Sequence, residues 1–193
     1  AFRRGLDGIP ALVNKLRRDS RDPLGDEIVE AMTTNESLFF RDTKPFEMLR
    51  THVLPDLMAR NKSKKIIRIW NAACSSGQEP YSVAITLHEM GIDVSAWRID
   101  IVATDLSSDM IKKGKNGIYS QFEVQRGLPI KILLKYFTKI GSDWQIKPEL
   151  RKMVQFRRHN LFDDYRPLGS FDIIFCRNVL IYFDSQARGQ ILD

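Results

Sequence analysis

The chain is poor in sulfur chemistry, with two cysteines in 193 residues. Cys74 and Cys176 stand far apart, each at the end of an apolar run, and reduced thiols in a cytoplasmic protein are the simplest account. No apolar stretch approaches the roughly 20 residues that span a bilayer, and no secretory leader is legible at the start. His52, His88 and His159 are scattered, without metal-ligand spacing among themselves or to the cysteines. There is no G-x-x-x-x-G-K-[ST] phosphate loop, no G-x-S-x-G nucleophile elbow and no G-x-G-x-x-G dinucleotide turn. Internal repeats and low-complexity stretches are also missing. The first residue is Ala1 rather than Met, which predicts a longer parent protein.

Positive charge is in excess, with 30 Lys and Arg against 24 Asp and Glu, a net of +6. That balance suits an acidic partner, either nucleic acid or an acidic protein surface, or simply a solvated basic face. With 43% hydrophobic and 28% charged residues, the chain has enough apolar material for one full core and a small second lobe.

Residues 1 to about 33 read as helical. Ile9, Leu12, Val13 and Leu16 recur at helical spacing, Asp22-Pro23 makes a start signal, and Ile28, Val29 and Met32 supply an apolar face. Thr43-Lys44-Pro45 predicts another start, carried on by Phe46, Leu49, Val53 and Leu57, with Pro55 a kink or end. The pattern then changes. Lys65 to Ala73 predicts a buried strand, followed by the small-residue turn Cys74-Ser75-Ser76-Gly77. Pro80 opens a predicted helix through Met90, closed by Gly91. Arg98 to Thr104 predicts a second strand, and Ser107 can cap the helix after it. Strand, helix, strand, helix indicates an α/β domain with a parallel sheet. Residues 117 to 152 break the rhythm, with Lys139 to Ile146 reading as a hairpin around Gly141-Ser142 in a small β-containing insertion. Strands resume at Met153 to Arg157 and at Phe171 to Cys176, and a helix starts near Ser185. With no later strand to receive that helix, the sheet reads as cut short and the chain as a fragment at both ends.

Open α/β sheets bind ligands beyond the carboxyl ends of their strands. Four such ends carry polar groups here: Asn71 to Glu79, Asp105, Asn160-Leu161 and Arg177-Asn178. A nucleotide-like cofactor needs such an arrangement. Asp105 is placed to accept ribose hydroxyls, or to cap the segment from Leu106. Glu79 suits an amino group or ribose, or simply favours a helix N-terminus. Arg177 beside a buried strand end calls for a partner, a ligand or a nearby carboxylate. Tyr182 reads as a site aromatic or a core one. Thr33 to Arg41 mixes hydroxyls, an amide, two aromatics and an Arg, in a linker or a binding segment.

Four blocks, in order, resemble the CheR family of chemotaxis receptor methyltransferases. They are Met32-Thr33-Thr34-Asn35-Glu36-Ser37-Leu38-Phe39-Phe40-Arg41, then Trp70-Asn71-Ala72-Ala73-Cys74-Ser75-Ser76-Gly77-Gln78-Glu79-Pro80-Tyr81-Ser82, then Ala103-Thr104-Asp105, then Phe171 through Phe183. The resemblance implies a Rossmann-like methyltransferase sheet with a small β-subdomain, preceded by the remnant of an all-α N-terminal domain. Its domains would be 1–33, the last part of the helical domain; 34–63, a linker and helix; and 64–193, the methyltransferase domain, with the β-subdomain at about 117–152 and the final strands absent. It further implies methylation of glutamates on the cytoplasmic helices of chemoreceptors, with S-adenosylmethionine as donor and S-adenosylhomocysteine as product. Family cofactor contacts carry over onto Asn35, Ser37, Arg41, Glu79, Asp105, Asn160, Leu161, Arg177 and Asn178. Ser37 keeps the hydroxyl of a position often held by Thr, and the family's first cofactor turn is itself poor in glycine. The short hairpin at 139–146 departs from the longer, glycine-rich loop with which some members dock a receptor peptide. Arg41 and Tyr182 are the candidates for chemistry, Arg41 as a carboxylate guide and Tyr182 as a wall or hydrogen-bond donor. The receptor is the expected partner, with no nucleic acid and no membrane insertion. Competing readings are a nucleic-acid methyltransferase, whose proline-rich motif is missing at Arg177-Asn178-Val179-Leu180, and a cofactor-binding regulator without turnover.

Overall fold

The computed structural model describes residue 5 and residues 7–18, 23–33, 35–93 and 96–192. They fall into two compact units that divide between residues 34 and 35. The first unit holds two helices, α1 (Gly8–Arg18) and α2 (Pro23–Met32). Pro23 stands at the first helical position, as its fixed φ favours. The Asp22 half of that start signal, and Thr34, lie outside the described residues.

The second unit opens with α3 (Lys44–Met48), a π-helical turn (Leu49–Val53) and α4 (Leu54–Arg60). Pro55 therefore neither ends nor breaks the run. It lacks an N–H and its ring crowds the carbonyl four residues back, and the backbone accommodates it by widening to π pairing just upstream. Next come β1 (Ile66–Ala72), α5 (Gln78–Glu89), β2 (Arg98–Asp105) and α6 (Ser108–Asn116). Helix α5 begins at Gln78, two residues before Pro80, because proline is tolerated anywhere in a first turn whose N–H groups have no helical partner. Ser107 caps α6 by accepting the Met110 N–H at 3.0 Å.

A small lobe follows, built from β3 (Ile118–Ser120), α7 (Gln121–Gln125), α8 (Ile130–Tyr136), β4 (Phe137–Ile140) and β5 (Asp143–Ile146). The hairpin read from Lys139 to Ile146 is present as β4 and β5, and β3 joins it to make an antiparallel sheet in the order β3-β5-β4. The short α9 (Pro148–Arg151) leads into β6 (Val154–Arg158), then β7 (Ile173–Phe175) and α10 (Ser185–Leu192). Strand β7 is shorter than the apolar run from Phe171 that predicted it.

The main sheet is wholly parallel in the order β6-β2-β1-β7. Its central strands are buried on both faces: Ile67, Ile69, Ile101 and Ala103 enter one core, and Trp70, Ala72 and Val102 enter the other. That explains why β1 and β2 read as continuous apolar runs rather than alternating ones. The chain leaves β1 toward β2 on one side and later returns to β7 on the other. The carboxyl end of β1 is thus the topological switch point, where open α/β sheets take ligands.

Candidate functional site

The turn from β1 to α5 sits at this switch point. Ala73, Ser75 and Gly77 have φ of 53, 49 and 94°, alternate residues in the left-handed region. Only Gly77 is free of the Cβ penalty there, and it also has no room for one: a Cβ would lie 2.8 Å from the Phe156 ring. Ser75 is held in place from the neighbouring strand, because Asp105 Oδ2 accepts its N–H at 2.7 Å. The other oxygen of Asp105 accepts the Ser107 N–H at 2.9 Å. Asp105 is thus a local backbone anchor for both turns, while the cap of α6 itself is Ser107.

Two buried polar atoms at this strand end have no hydrogen-bond partner among the described residues, Asn71 Oδ1 and Ser75 Oγ. Native proteins leave few such atoms. A polar ligand seated on this turn would satisfy both, and a methyl donor bearing ribose hydroxyls, an ammonium and a carboxylate fits that donor and acceptor set.

Glu79, the second residue of α5, lies beside the turn. Its Oε1 accepts from Asn71 Nδ2 at 3.1 Å and its Oε2 from Arg177 Nη1 at 2.8 Å. Burial pushes its carboxyl above the usual carboxylate value, against the lowering pull of Asn71, Arg177 and Arg41. Arg177, two residues past β7, answers the expected need for a partner with two carboxylates: its Nη2 donates to Asp42 Oδ2 at 2.7 Å and to the Arg41 carbonyl at 2.9 Å. Burial, then the charges of Asp105 and Glu79, raise the Cys74 thiol well above its usual value. It stays protonated at neutral pH and offers no nucleophile.

The segment carrying Arg41 is pinned from several sides. Phe39 is fully buried, edge-on to Tyr119 and Phe137. The Phe40 N–H donates to Ser82 Oγ on α5 at 2.9 Å. The Arg41 guanidinium is held more lightly, its Nη1 reaching the Glu36 carbonyl at 3.4 Å. It lies back along the stretch that bears Ser37, half-buried, and Asn35, exposed.

Arg41, Glu79 and Arg177 form one connected network. Asp105 joins the same turn through Ser75, and the His159 N–H donates to the Asp105 carbonyl at 3.0 Å, which brings the start of the Asn160-Leu161 segment to the same edge. Asn160 is half-buried, with Oδ1 accepting the Phe162 N–H at 3.2 Å, and the Leu161 side chain is buried in the second core. Asn178, at φ 58°, and Tyr182, 61% exposed in a 3-10 turn, lie outside the network and face solvent. Tyr182 is therefore not the core aromatic that was its other reading. Sequence reading missed Asp42 as a partner of Arg177, and the orphaned Asn71 and Ser75 atoms. The demand of Arg177 for a carboxylate was the one signal that pointed toward Asp42.

Residues 35–193 match the family model for the CheR methyltransferase, SAM binding domain. Chemotaxis protein methyltransferase Cher2 of Pseudomonas putida is 44% identical over 192 residues, covering 97% of this chain and 70% of that protein. Chemotaxis protein methyltransferase 1 of Pseudomonas aeruginosa is also 44% identical over 192 residues, covering 97% and 69%. The chemotaxis protein methyltransferase of Borreliella burgdorferi is 36% identical over 193 residues, covering 97% and 68%. Among solved structures, magnesium protoporphyrin IX methyltransferase (ChlM) from Synechocystis with bound SAH is 13% identical, covering 95% of this chain and 65% of that one, with a TM-score of 0.38. That likeness is too distant to carry an argument about the site.

Proposed function

Since this chain belongs to the CheR methyltransferase family, an S-adenosylmethionine-dependent group acting in chemotaxis, we propose that it methylates glutamate side chains on the cytoplasmic helices of chemoreceptors. The observation that carries this is the network at the switch point, where Glu79 and Arg177 join the segment that bears Arg41. We assign residues 64–193 to the methyltransferase domain, with a β-subdomain at about 117–152, residues 34–63 to a linker and helix, and residues 1–33 to the end of a helical domain. The reaction belongs in the cytoplasm, where the free thiols of Cys74 and Cys176 stay reduced. No helix among the described residues is long and apolar enough to cross a membrane.

When bound, S-adenosylmethionine supplies an electrophilic methyl on a positively charged sulfur. Glu79 holds the ammonium, Asp105 accepts the ribose hydroxyls, and Asn160 and Leu161 close the site beyond β6. Asn35, Ser37, Arg177 and Asn178 complete the contacts. A substrate glutamate, with a usual pKa of about 4.3, is already ionised at neutral pH. It needs no general base, and none of the three histidines is required. Alignment and shielding from water remain for the enzyme to supply. Arg41 guides the incoming carboxylate, and Tyr182 walls the approach or donates a hydrogen bond to it.

The test is methyl transfer by the full-length protein from labelled donor to receptor cytoplasmic fragments, with RNA as the control acceptor. Base-labile methyl esters on receptor glutamates are expected. Label on RNA, or none on the receptor, overturns the reading. Arg41→Ala should lower kcat about a hundredfold, the scale of one lost charged contact to the transition state. Its thermal midpoint should stay near wild type, because the one hydrogen bond its side chain makes among the described residues is exposed.

A further inference from the structure

Arg177 divides its guanidinium between two carboxylates of unlike character. Glu79, whose side chain is 15% exposed, receives Nη1 on Oε2 at 2.8 Å, while its Oε1 accepts from Asn71 Nδ2 at 3.1 Å. Asp42, whose side chain is 61% exposed, receives Nη2 at 2.7 Å. The same Nη2 donates to the Arg41 carbonyl at 2.9 Å, and the head lies 5.7 Å from the centroid of the Phe46 ring. A planar guanidinium matches a carboxylate best as a two-pronged fork. Here the buried carboxylate gets one prong and the exposed one takes the other.

Asp42 is held to this arrangement by an unusual backbone. Phe40, Asp42 and Thr43 have φ of 51, 65 and 30°, in the region non-glycine residues seldom adopt. Such conformations cost of order 1 kcal/mol or more each and persist only where the surroundings enforce them. The buried Phe39, the Ser82 contact to Phe40 and the Arg177 contact to Arg41 do so here. Arg177 itself is largely buried, at 19% exposure, so Asp42 supplies counter-charge to its outer edge.

We propose that Asp42 is a positioning residue: by taking Nη2 it keeps Arg177 from closing as a fork on Glu79, which leaves Glu79 able to hold the ammonium of the methyl donor and fixes the backbone of Arg41 beside it. This rests on the roles of Glu79 and Arg41 given above. The charged and titratable groups that face Glu79 are Arg177, Arg41 and the thiols of Cys74 and Cys176. Burial raises both thiols, so they remain neutral, and Arg177 and Arg41 are the two cations that set its affinity for a further one.

The test uses the full-length protein and titrates S-adenosylhomocysteine into wild type, Asp42→Asn, Asp42→Glu and Glu79→Gln as a function of pH. Asp42→Asn should weaken binding about fivefold at neutral pH, because Arg177 then neutralises Glu79. It should also move the acid limit of binding to lower pH, because a forked Arg177 favours the ionised Glu79 more strongly. Mere loosening of the loop would move that limit upward, and that result overturns the proposal. Asp42→Glu should restore affinity to within about twofold of wild type, since it returns the charge. Asp56→Asn removes a comparably exposed carboxylate, paired to Arg60 at 2.6 Å, and should change nothing. If Glu79→Gln weakens binding while Asp42→Asn matches wild type in affinity and acid limit, the Asp42 proposal alone falls. If Glu79→Gln leaves binding intact, the ammonium role of Glu79 falls and the Asp42 proposal with it.

Discussion

Asp105 Oδ2 accepts the N–H of Ser75 at 2.7 Å, so the end of β2 fixes the turn that leaves β1. The bond crosses between adjacent parallel strands and is buried. It lets a serine hold a left-handed conformation that glycine fills in other cofactor turns, and it explains how a glycine-poor turn keeps its shape.

Asp105→Ala therefore removes more than a ligand contact. It leaves the buried N–H groups of Ser75 and Ser107 without the acceptor they use, and a lost hydrogen bond to a charged group costs about 1.5–3 kcal/mol. A fall in thermal midpoint of roughly 3–12 °C should accompany the loss of S-adenosylhomocysteine affinity. Differential scanning calorimetry without ligand separates the two effects. An unchanged midpoint would show that the turn holds its shape without Asp105.

The parallel sheet and the site's edge were legible in the sequence, while the links within the site were not. Strands β1 and β2 announce themselves because both faces are buried, and Asp105 announces itself as the acid that ends one of them. The start of α5 was blurred because Pro80 fits any position of a first turn. Strand β3 has three residues, and helices α7, α8 and α9 have seven or fewer, too short for periodicity to reveal. The Arg177–Asp42 pair spans 135 residues. Nothing local marks such a pair, because its geometry exists only once β7 lies beside β1.

Glu79 gives the site a defined acid limit. Burial lifts its carboxyl above the ordinary 4.5 despite the lowering effects of Asn71 and Arg177. Holding an ammonium requires the ionised form. Affinity for S-adenosylhomocysteine should thus be full at neutral pH and lost as pH falls through that raised value, beginning above the ordinary carboxylate range. Glu79→Gln should abolish this limb and weaken binding roughly tenfold at neutral pH. For folding without ligand the sign is opposite. The folded chain binds this proton more tightly than the unfolded one, so the contribution of Glu79 to stability is present at low pH and lost as pH rises through the raised value. Calorimetric titration between acid and neutral pH reads the first effect, and denaturant midpoints over the same range read the second.

Gly127 bears on the Arg41 segment from outside the site. Its φ is 103°, and a Cβ there would lie 2.1 Å from the Phe39 carbonyl oxygen. That oxygen belongs to backbone, and Phe39 is locked between Tyr119 and Phe137, so neither partner can yield cheaply. Gly127→Ala should destabilise the fold by about 2–4 kcal/mol through overpacking and backbone strain. A thermal midpoint lowered by roughly 4–16 °C is expected. Below that midpoint, turnover should fall more than donor affinity, because the displaced segment carries Arg41 while Glu79 and Asp105 sit on other elements. A variant with wild-type stability would show that Phe39 can shift, and would remove the basis for tying this glycine to the site.

The excess positive charge is concentrated in one stretch. Residues 110–158 hold twelve Lys and Arg against three Asp and Glu, whereas the rest of the chain carries 18 against 21. Several of these cations are already matched, Lys112 with Asp109, Lys113 with Glu123, Arg126 with Glu36 and Lys135 with Glu89. Lys115, Lys152 and Arg157 are exposed and form no ion pair among the described residues. Such charges steer an acidic partner at long range, and salt screens them over a Debye length of about 8 Å at physiological strength. Reversing all three to Glu should lower kcat/KM on receptor fragments about tenfold at low salt, chiefly through slower association, and should flatten its salt dependence. Reversing Lys62, Lys64 and Lys65 changes net charge equally, but outside this stretch, and its effect should be several-fold smaller. Stopped-flow association rates across an ionic-strength series make the comparison. Equal losses from the two triple variants would mean that net charge alone attracts the receptor. A larger loss from the first would place the approach over α6, α9 and β6.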